Sequence, residues 1–459
     1  MPRLFGVETE YGLTARTRAS GASTTEGRPW LRLGPDEAAE RLFAPLASAY
    51  ATTNVFGANG GRLYLDVGNH PEYATPECTS IDDLLVAERA GDELVVALAS
   101  GATAAEAEAG RETEFRLFKN NLDSFGNTYG SHENYLVARE TDPRVLTAWL
   151  VPFLVSRQAI AGAGRWHRGA FTISQRCDSL ADVVSSQTTR ARPLINTRDE
   201  PHADPARYRR LHVISGDSNL DEASAWLRYA TTELVLRLAE SGRPAPVTLD
   251  DPVAALRAWG RDPSGASEVQ ARYAELAGDV ADASLAGALE AWRRGSVAPE
   301  WRHKQRLLHA YRDRHGLADA DPRLDALDLR WHALGDGPDG RPLGLARLLE
   351  ARGEIPRLTS PDAVAAARDR APSPGRARLR GRLLAAARAS GRDHSVDWAS
   401  FAVHDLPGES PELPGPGAGA AATSLDLDPF AAEDPRVDAL IARMQREPRR
   451  RPLGGFAPP

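Results

Sequence analysis

The sequence predicts an α+β fold in which a sheet is backed by helices, and three observations predict it. Short runs with a period of two recur between residue 3 and about residue 230. Longer stretches with helical periodicity lie between them. From about 250 to 350 the chain is rich in Ala, Arg and Leu and mostly helical in pattern, which reads as a helical layer around the sheet. Many strand crossings in one region with interspersed helices fit α+β, or a mixed sheet with helices on one face.

The elements follow in chain order. Leu4 to Thr14 alternates, with Phe5, Val7, Tyr11 and Leu13 on one face and Glu8 and Glu10 on the other. Pro35 to Ala49 reads as a helix, Pro35 near its first turn and Ala39, Leu42, Phe43 and Leu46 forming its apolar stripe. Arg62 to Val67 is a strand with Leu63, Leu65 and Val67 opposite Arg62, Tyr64 and Asp66. Ser80 with Asp83 resembles a capping box and opens a helix running to about Leu98. Further strands are expected at 114–120, 133–138, 171–175, 193–197 and 210–214, then a helix from about 220 to 241 that stops at Gly242.

Beyond about 370 the character changes. Pro372, Pro374 and Gly375 precede a helix, followed by the strand-like Val396 to Val403. The Gly/Pro/Ala-rich stretch 407–422 reads as a mobile loop and the tail from Arg443 as frayed. The expected division is a main unit over 1–370, a small C-terminal domain over 371–445 and a disordered tail over 446–459.

Composition narrows the functional classes. A net charge of -7 argues against broad nucleic-acid binding. Only Lys119 and Lys304 are lysines, so 54 of the 56 basic residues are arginine. The first reading is a GC-rich genome; the second is an enzyme that modifies lysines and rarely modifies itself. Cys78 and Cys177 set no disulfide framework and suit a reducing cytosol. The opening MPRLFGVETEYG meets a glutamate before any apolar core of a signal peptide could form. The apolar stretch Leu146 to Val155 is too short to span a bilayer and contains Pro152. A cytoplasmic, monomeric protein with neither nucleic-acid nor membrane partners is expected.

Chemistry concentrates on the polar faces of the strands. Glu8 and Glu10 offer hard oxygen ligands of the kind magnesium prefers, although a solvated acidic face would read the same way. RLYLDVGNHPEYAT, 62–75, adds Arg62, Tyr64, Asp66 and Glu72: an arginine to neutralise phosphate, and carboxylates to bind metal or act as a base. FKNNLDSFGNTYGSHENY, 118–135, and INTRDEPHADPARYRRLHVISGDSN, 195–219, gather Asn, Asp, His and Arg near strand ends, and SQR, 174–176, adds another arginine. Arg210 and His212 share one face of their strand. Each of these also reads as turn chemistry or surface ion pairs. No phosphate-binding loop ending in Gly-Lys-Ser/Thr occurs, so any bound ATP must be held by metal and arginines on a sheet surface.

GVETEYG, RLYLDVGNHPEYATPEC, the 118–135 and 195–219 segments and GRDHSVDW together resemble the Pup–protein ligase family, proteasome accessory factor A, of the glutamine synthetase-like carboxylate–amine ligases. The resemblance implies a curved, mostly antiparallel sheet that cradles ATP, backed by helices and completed by the small C-terminal domain. It also implies an ATP- and Mg2+-dependent ligase. The γ-carboxylate of the C-terminal glutamate of Pup is phosphorylated and then joined to a substrate lysine, marking that protein for proteasomal degradation. Carried over by position, Glu8, Tyr64 and Glu72 match the magnesium ligands; Arg62, Thr75 and Trp398 match ATP contacts; Asp66 matches the catalytic base. Glu10, Arg198 and His212 match supporting positions, as do His132 and Arg176. The alternative is the sister deamidase/depupylase, which shares nearly all of these residues but carries a long extra loop between the first strand and the Arg62 segment.

Overall fold

The computed structural model describes residues 3–19, 29–66, 68–123, 126–186, 192–407 and 422–446. The chain enters through β1 (Phe5–Glu10), β2 (Gly12–Ala19) and the short β3 (Leu31–Arg32). Then come α1 (Pro35–Tyr50), β4 (Asn54–Phe56), β5 (Arg62–Leu65) and β6 (Pro71–Ala74). The long α2 (Ile81–Glu108) precedes β7 (Arg111–Phe118), β8 (Ser131–Ala138) and α3 (Pro143–Ala161). Next are β9 (Arg165–His167), β10 (Ala170–Thr172), β11 (Asp182–Ser185), β12 (Pro193–Asn196), β13 (Tyr208–Val213) and α4 (Glu222–Glu240). The helical stretch holds α5 (Pro252–Trp259), α6 (Ser264–Ala277), α7 (Ala286–Arg294), α8 (Glu300–His315), α9 (Pro322–Trp331), α10 (Leu345–Ala351) and α11 (Pro361–Asp369). Finally α12 (Arg376–Ala389), β14 (His394–Val396), β15 (Ser400–Pro407), β16 (Ala422–Asp426) and α13 (Pro435–Arg446) form the C-terminal part.

Eight strands form the main sheet in the order β11-β12-β13-β8-β1-β6-β5-β4, antiparallel except for the β11–β12 pair. The α+β expectation of a mostly antiparallel sheet backed by helices therefore holds. One face is apolar: Phe5, Val7, Tyr135, Val137, Leu211 and Val213 pack against Leu84 of α2, Phe153 of α3 and Leu234 of α4. That burial anchors the sheet on its helices and leaves the polar face free for chemistry. Ser80 caps α2 as expected, its hydroxyl accepting the Asp83 N–H at 3.1 Å. The helix continues past Leu98 to Glu108 through an Ala-rich stretch of high helix propensity.

The first strand differs from expectation. Period two continues through Leu13, but the chain changes sheets at Tyr11. Residues up to Glu10 pair with β6 and β8, whereas Gly12 onward pairs with β7 in a three-stranded sheet. The fully buried Tyr11 donates its hydroxyl proton to Asp92 of α2 at 2.9 Å, fixing the corner. At Gly12 a Cβ would lie 2.6 Å from the Tyr129 hydroxyl, so a side chain there cannot be accommodated without displacement. The strand expected at 171–175 ends at Thr172, because Ser174 and the Gln175 N–H turn to bond the buried Asp217.

The C-terminal part packs on the sheet edge through Phe56, Leu379, Leu383, Phe401, Val403, Leu440 and Met444. The tail expected to fray from Arg443 is helical through Arg446, because Met444 is fully buried in this cluster together with Val437 and Leu440. The loop expectation at 408–421 and the tail expectation at 447–459 lie outside the described residues. Helix α12 approaches the turn before β5 closely: a Cβ on Gly381 would sit 1.9 Å from the Ala58 carbonyl oxygen.

Buried ions clasp this junction. Arg380, with no solvent exposure, donates to Glu77 at 2.6 Å, to the Gly60 carbonyl and to the Trp398 carbonyl at 2.6 Å, while Arg376 donates to Glu77 at 2.7 Å. Burial alone would raise the Glu77 carboxyl, but Arg380 and Arg376 bring it down to about 2. A depressed acid stabilises the fold above its unfolded pKa and loses that contribution as pH falls through the folded value. The clasp, on the order of 3 kcal/mol at neutral pH, is therefore expected to be lost between about pH 4.5 and pH 2. Hydrogen exchange of α12 across that window would detect it, and Glu77→Gln should flatten the dependence. Equal pH dependence in both proteins would rule the clasp out as its source.

Candidate active site

Alternation puts Glu8 and Glu10 on the face opposite Phe5 and Val7. Antiparallel register then chooses their neighbours. Glu10 stands opposite Glu72 of β6, which stands opposite Tyr64 of β5. One row along, Glu8 faces His132 of β8 on one side and Ala74 on the other, and Ala74 faces Arg62.

This register builds two adjoining groups. In the first, carboxylate oxygens of Glu10, Asp66 and Glu72 lie within 4.8 Å of one another. Glu10 and Glu72 are buried and Asp66, just past the end of β5, is half-buried. The Gly130 N–H donates to Glu10 at 2.8 Å. Burial raises the Glu72 carboxyl well above its usual range, and the charges of Glu10, Glu8 and Asp66 raise it further. The Tyr64 hydroxyl is raised too, by burial and then by Glu72, so it stays protonated and donates to Glu72.

In the second group, ligand atoms of Glu8, His132 and His212 lie within 4.8 Å of one another. Asn134 donates to Glu8 at 3.1 Å and Arg210 at 2.9 Å, while His132 Nδ1 lies 3.2 Å and His212 Nε2 3.7 Å from its other oxygen. Burial opposes the charge on Glu8, but Arg210 and the two histidines outweigh it and hold the carboxyl well below its ordinary range. His212 is buried and neither ring nitrogen has a hydrogen-bond partner. Burial keeps it well below the usual histidine value, so at neutral pH it is an uncharged imidazole with a free lone pair.

Beside these groups opens a cleft between the sheet and the C-terminal part. Gly6, Glu8, Thr75, Glu77, Arg210 and Trp398 contribute to its walls. Thr75 accepts the Val7 N–H at 3.0 Å. Trp398 meets Phe56 edge-on at 5.0 Å and carries the Arg380 guanidinium over its ring at 5.0 Å. Arg62 lies over the Tyr64 ring at 4.4 Å and donates to Asn54 at 2.6 Å.

The residues singled out in the sequence thus separate by role. Glu8, Glu10, Tyr64, Asp66, Glu72, His132 and His212 converge, Thr75 and Trp398 line the adjoining cleft, and Arg62 flanks the carboxylates. Arg198 is exposed on the loop after β12, near enough to His212 to depress its basicity. Arg176 is buried, donating to the Ile214 carbonyl and lying close enough to feel the Glu10 charge. Sequence reasoning did not single out Asn134, although period two places it on the same face as His132. It left Arg210 without a role, and it missed Glu77 and Arg380, whose pairing spans 303 positions and leaves no local signal.

Known proteins match this chain over nearly its whole length. A family model described as Pup-ligase protein matches residues 3–295 and 288–402. A Pup–protein ligase of Brachybacterium faecium is 41% identical over 483 residues, covering 96% of each chain. That of Geodermatophilus obscurus is 41% identical over 477 residues, 96% of this chain and 99% of its own. The crystal structure of the complex between prokaryotic ubiquitin-like protein Pup and its ligase PafA matches with a TM-score of 0.84 and 36% identity, over 97% of this chain and 93% of that one. The Pup ligase PafA in complex with ADP matches at 0.77 and 37%, over 94% and 98%.

Proposed function

The chain belongs to the Pup-ligase family, and from that premise we propose that the open face of its main sheet is where ATP activates Pup for transfer to lysine. It is an ATP-dependent ligase that joins the γ-carboxylate of the C-terminal glutamate of Pup to lysine ε-amines of target proteins by an isopeptide bond. The observation that carries the site assignment is the carboxylate group of Glu10, Asp66 and Glu72 beside Glu8, next to a cleft lined by Thr75 and Trp398.

The donor set fits magnesium. Its ligands are hard oxygens, and a divalent cation would offset both the burial and the carboxylate repulsion that raise Glu72. The family resemblance puts Glu8, Tyr64 and Glu72 at the metal; in our reading Glu72 and Glu8 hold it, the protonated Tyr64 orients Glu72 through its hydrogen bond, and Glu10 is near enough to join. Bound magnesium would neutralise charge on the ATP phosphates. Arg62 serves the phosphates, and Thr75 and Trp398 hold the rest of the nucleotide.

A carboxylate and an ammonium ion do not condense in water, so the γ-carboxylate of Pup first attacks the γ-phosphorus of ATP and ADP leaves. The lysine nitrogen then attacks the acyl carbon, phosphate departs, and the amine proton must go elsewhere. Asp66 is the most exposed carboxylate of its group, which makes it the one an incoming amine reaches. We assign it as the acceptor of that proton. The proposal includes a monomer working in the cytoplasm; among the described residues no helix is long and apolar enough to cross a membrane.

Purified protein given ATP, Mg2+, Pup ending in glutamate and a lysine-bearing protein should form a covalent conjugate, and chelation of the metal should stop it. Release of ammonia from Pup ending in glutamine, without conjugation, would favour the depupylase reading instead. Within the site, Trp398→Ala is expected to weaken ATP binding roughly tenfold, the scale of about 1.4 kcal/mol for a lost aromatic contact. Calorimetric titration with nucleotide measures this, and an unchanged Kd would remove Trp398 from the nucleotide site.

A further inference from the structure

The 459-residue chain contains two lysines, Lys119 and Lys304, and both are sealed in the interior, 2% and 0% exposed. Lys119, just past the end of β7, places its ammonium 3.1 Å from both Glu88 and Asp92 of α2. Burial would lower its pKa, but those two carboxylates raise it overall, so the amine stays protonated. Lys304 on α8 donates to the Gly164 carbonyl at 2.8 Å and to His332 Nε2 at 2.6 Å, with Asp328 at 3.2 Å. Its three N–H donors therefore have three acceptors. His332 donates from Nδ1 to the Lys119 carbonyl at 2.8 Å, which leaves Nε2 free to accept and ties both lysines into one buried network.

An acceptor amine must lose a proton and reach an activated carbonyl in the cleft. Neither of these can do so without opening the core. A compact ammonium suits these sites, whereas a guanidinium is too wide where acceptors converge on one nitrogen, as three do on Lys304. Everywhere else positive side-chain charge is carried by arginine, which stays protonated and offers no nucleophile at neutral pH.

Resting on the ligase reading above, we propose that this chain is excluded as an acceptor in its own reaction, because its only ε-amines are locked in the core and its surface cations are all arginine. Each copy is always within reach of activated Pup, yet presents no lysine to it.

The test uses the full chain and a variant with Arg144→Lys, Arg294→Lys and Arg341→Lys, whose parent side chains are 91%, 74% and 79% exposed and lie outside the site. Each is incubated with ATP, Mg2+ and Pup ending in glutamate, together with an unrelated lysine-bearing protein. Intact mass and peptide mapping are then read on both proteins. The unrelated protein should be conjugated in both tubes, with at least about tenfold more Pup on the triple variant than on the parent. Pup on Lys119 or Lys304 of the parent would overturn the proposal. So would a triple variant that stays unmodified while the unrelated protein is conjugated. If the unrelated protein is modified in neither tube, the ligase reading itself fails.

Discussion

Replacing Asp66 by asparagine should lower conjugation by about two to four orders of magnitude, the loss of roughly 3 to 5 kcal/mol expected when a general base is removed. ATP affinity should stay nearly constant, because the substitution preserves shape and Asp66 does not line the cleft proposed for the nucleotide. Asp66 also neighbours Glu10 and Glu72, so a second measurement is needed to separate proton transfer from metal binding. Single-turnover conjugation should therefore be followed while magnesium is raised. A rate that stays low at saturating metal supports the base assignment. Full recovery at high magnesium would move Asp66 to the metal, and an unimpaired rate would remove it from the chemistry.

The largest effect on stability is expected at Glu133→Ala, about 3 to 5 kcal/mol. Glu133 lies on β8 between His132 and Asn134 but points the other way, into the helical layer, and is 1% exposed. Its carboxylate accepts two hydrogen bonds from Arg157 of α3, at 2.8 and 2.7 Å, and one from the Tyr135 hydroxyl at 2.7 Å, with Arg228 of α4 3.8 Å away. Alanine would leave the buried Arg157 guanidinium without a carboxylate and take one of the two carboxylates from beside Arg228. Replacing the pair together, as Glu133→Leu with Arg157→Met, should cost less than Glu133→Ala alone because it leaves fewer unpaired buried charges. Thermal and denaturant unfolding of the three proteins would test the ranking. A Glu133→Ala protein as stable as the parent would show that the interior pair contributes nothing.

Glu133 also shows where sequence reading stops. The segment 118–135 looked chemically dense as a whole, and the structure divides it. His132 and Asn134 face the site. Lys119, Asn121 and Glu133 tie the sheet to its surroundings, Asn121 by bonding Ser218 and the Tyr129 carbonyl. The same division runs through 195–219. Arg210 and His212 reach Glu8, while Asp199 pairs with Arg139 and Asp217 gathers Ser174, Gln175 and the Ala163 N–H. Polar residues that build a buried scaffold and polar residues that do chemistry have the same composition, so composition alone could not sort them.

The sequence by itself determined which residues of each strand share a face, because period two is a local property of an extended backbone. It therefore placed Glu8 with Glu10, and Arg62 with Tyr64 and Asp66. It also carried the long motifs from which the family could be recognised. Tertiary structure alone decided which of those faces meet. Pairing register sets Glu72 opposite Glu10 and brings Arg210, some 200 positions along the chain, onto Glu8. The change of sheet at Tyr11 was likewise invisible, since alternation persists through the corner and only the buried Asp92 partner fixes it. Register and long-range ion pairs depend on which elements pack together, and a local periodicity holds no record of that.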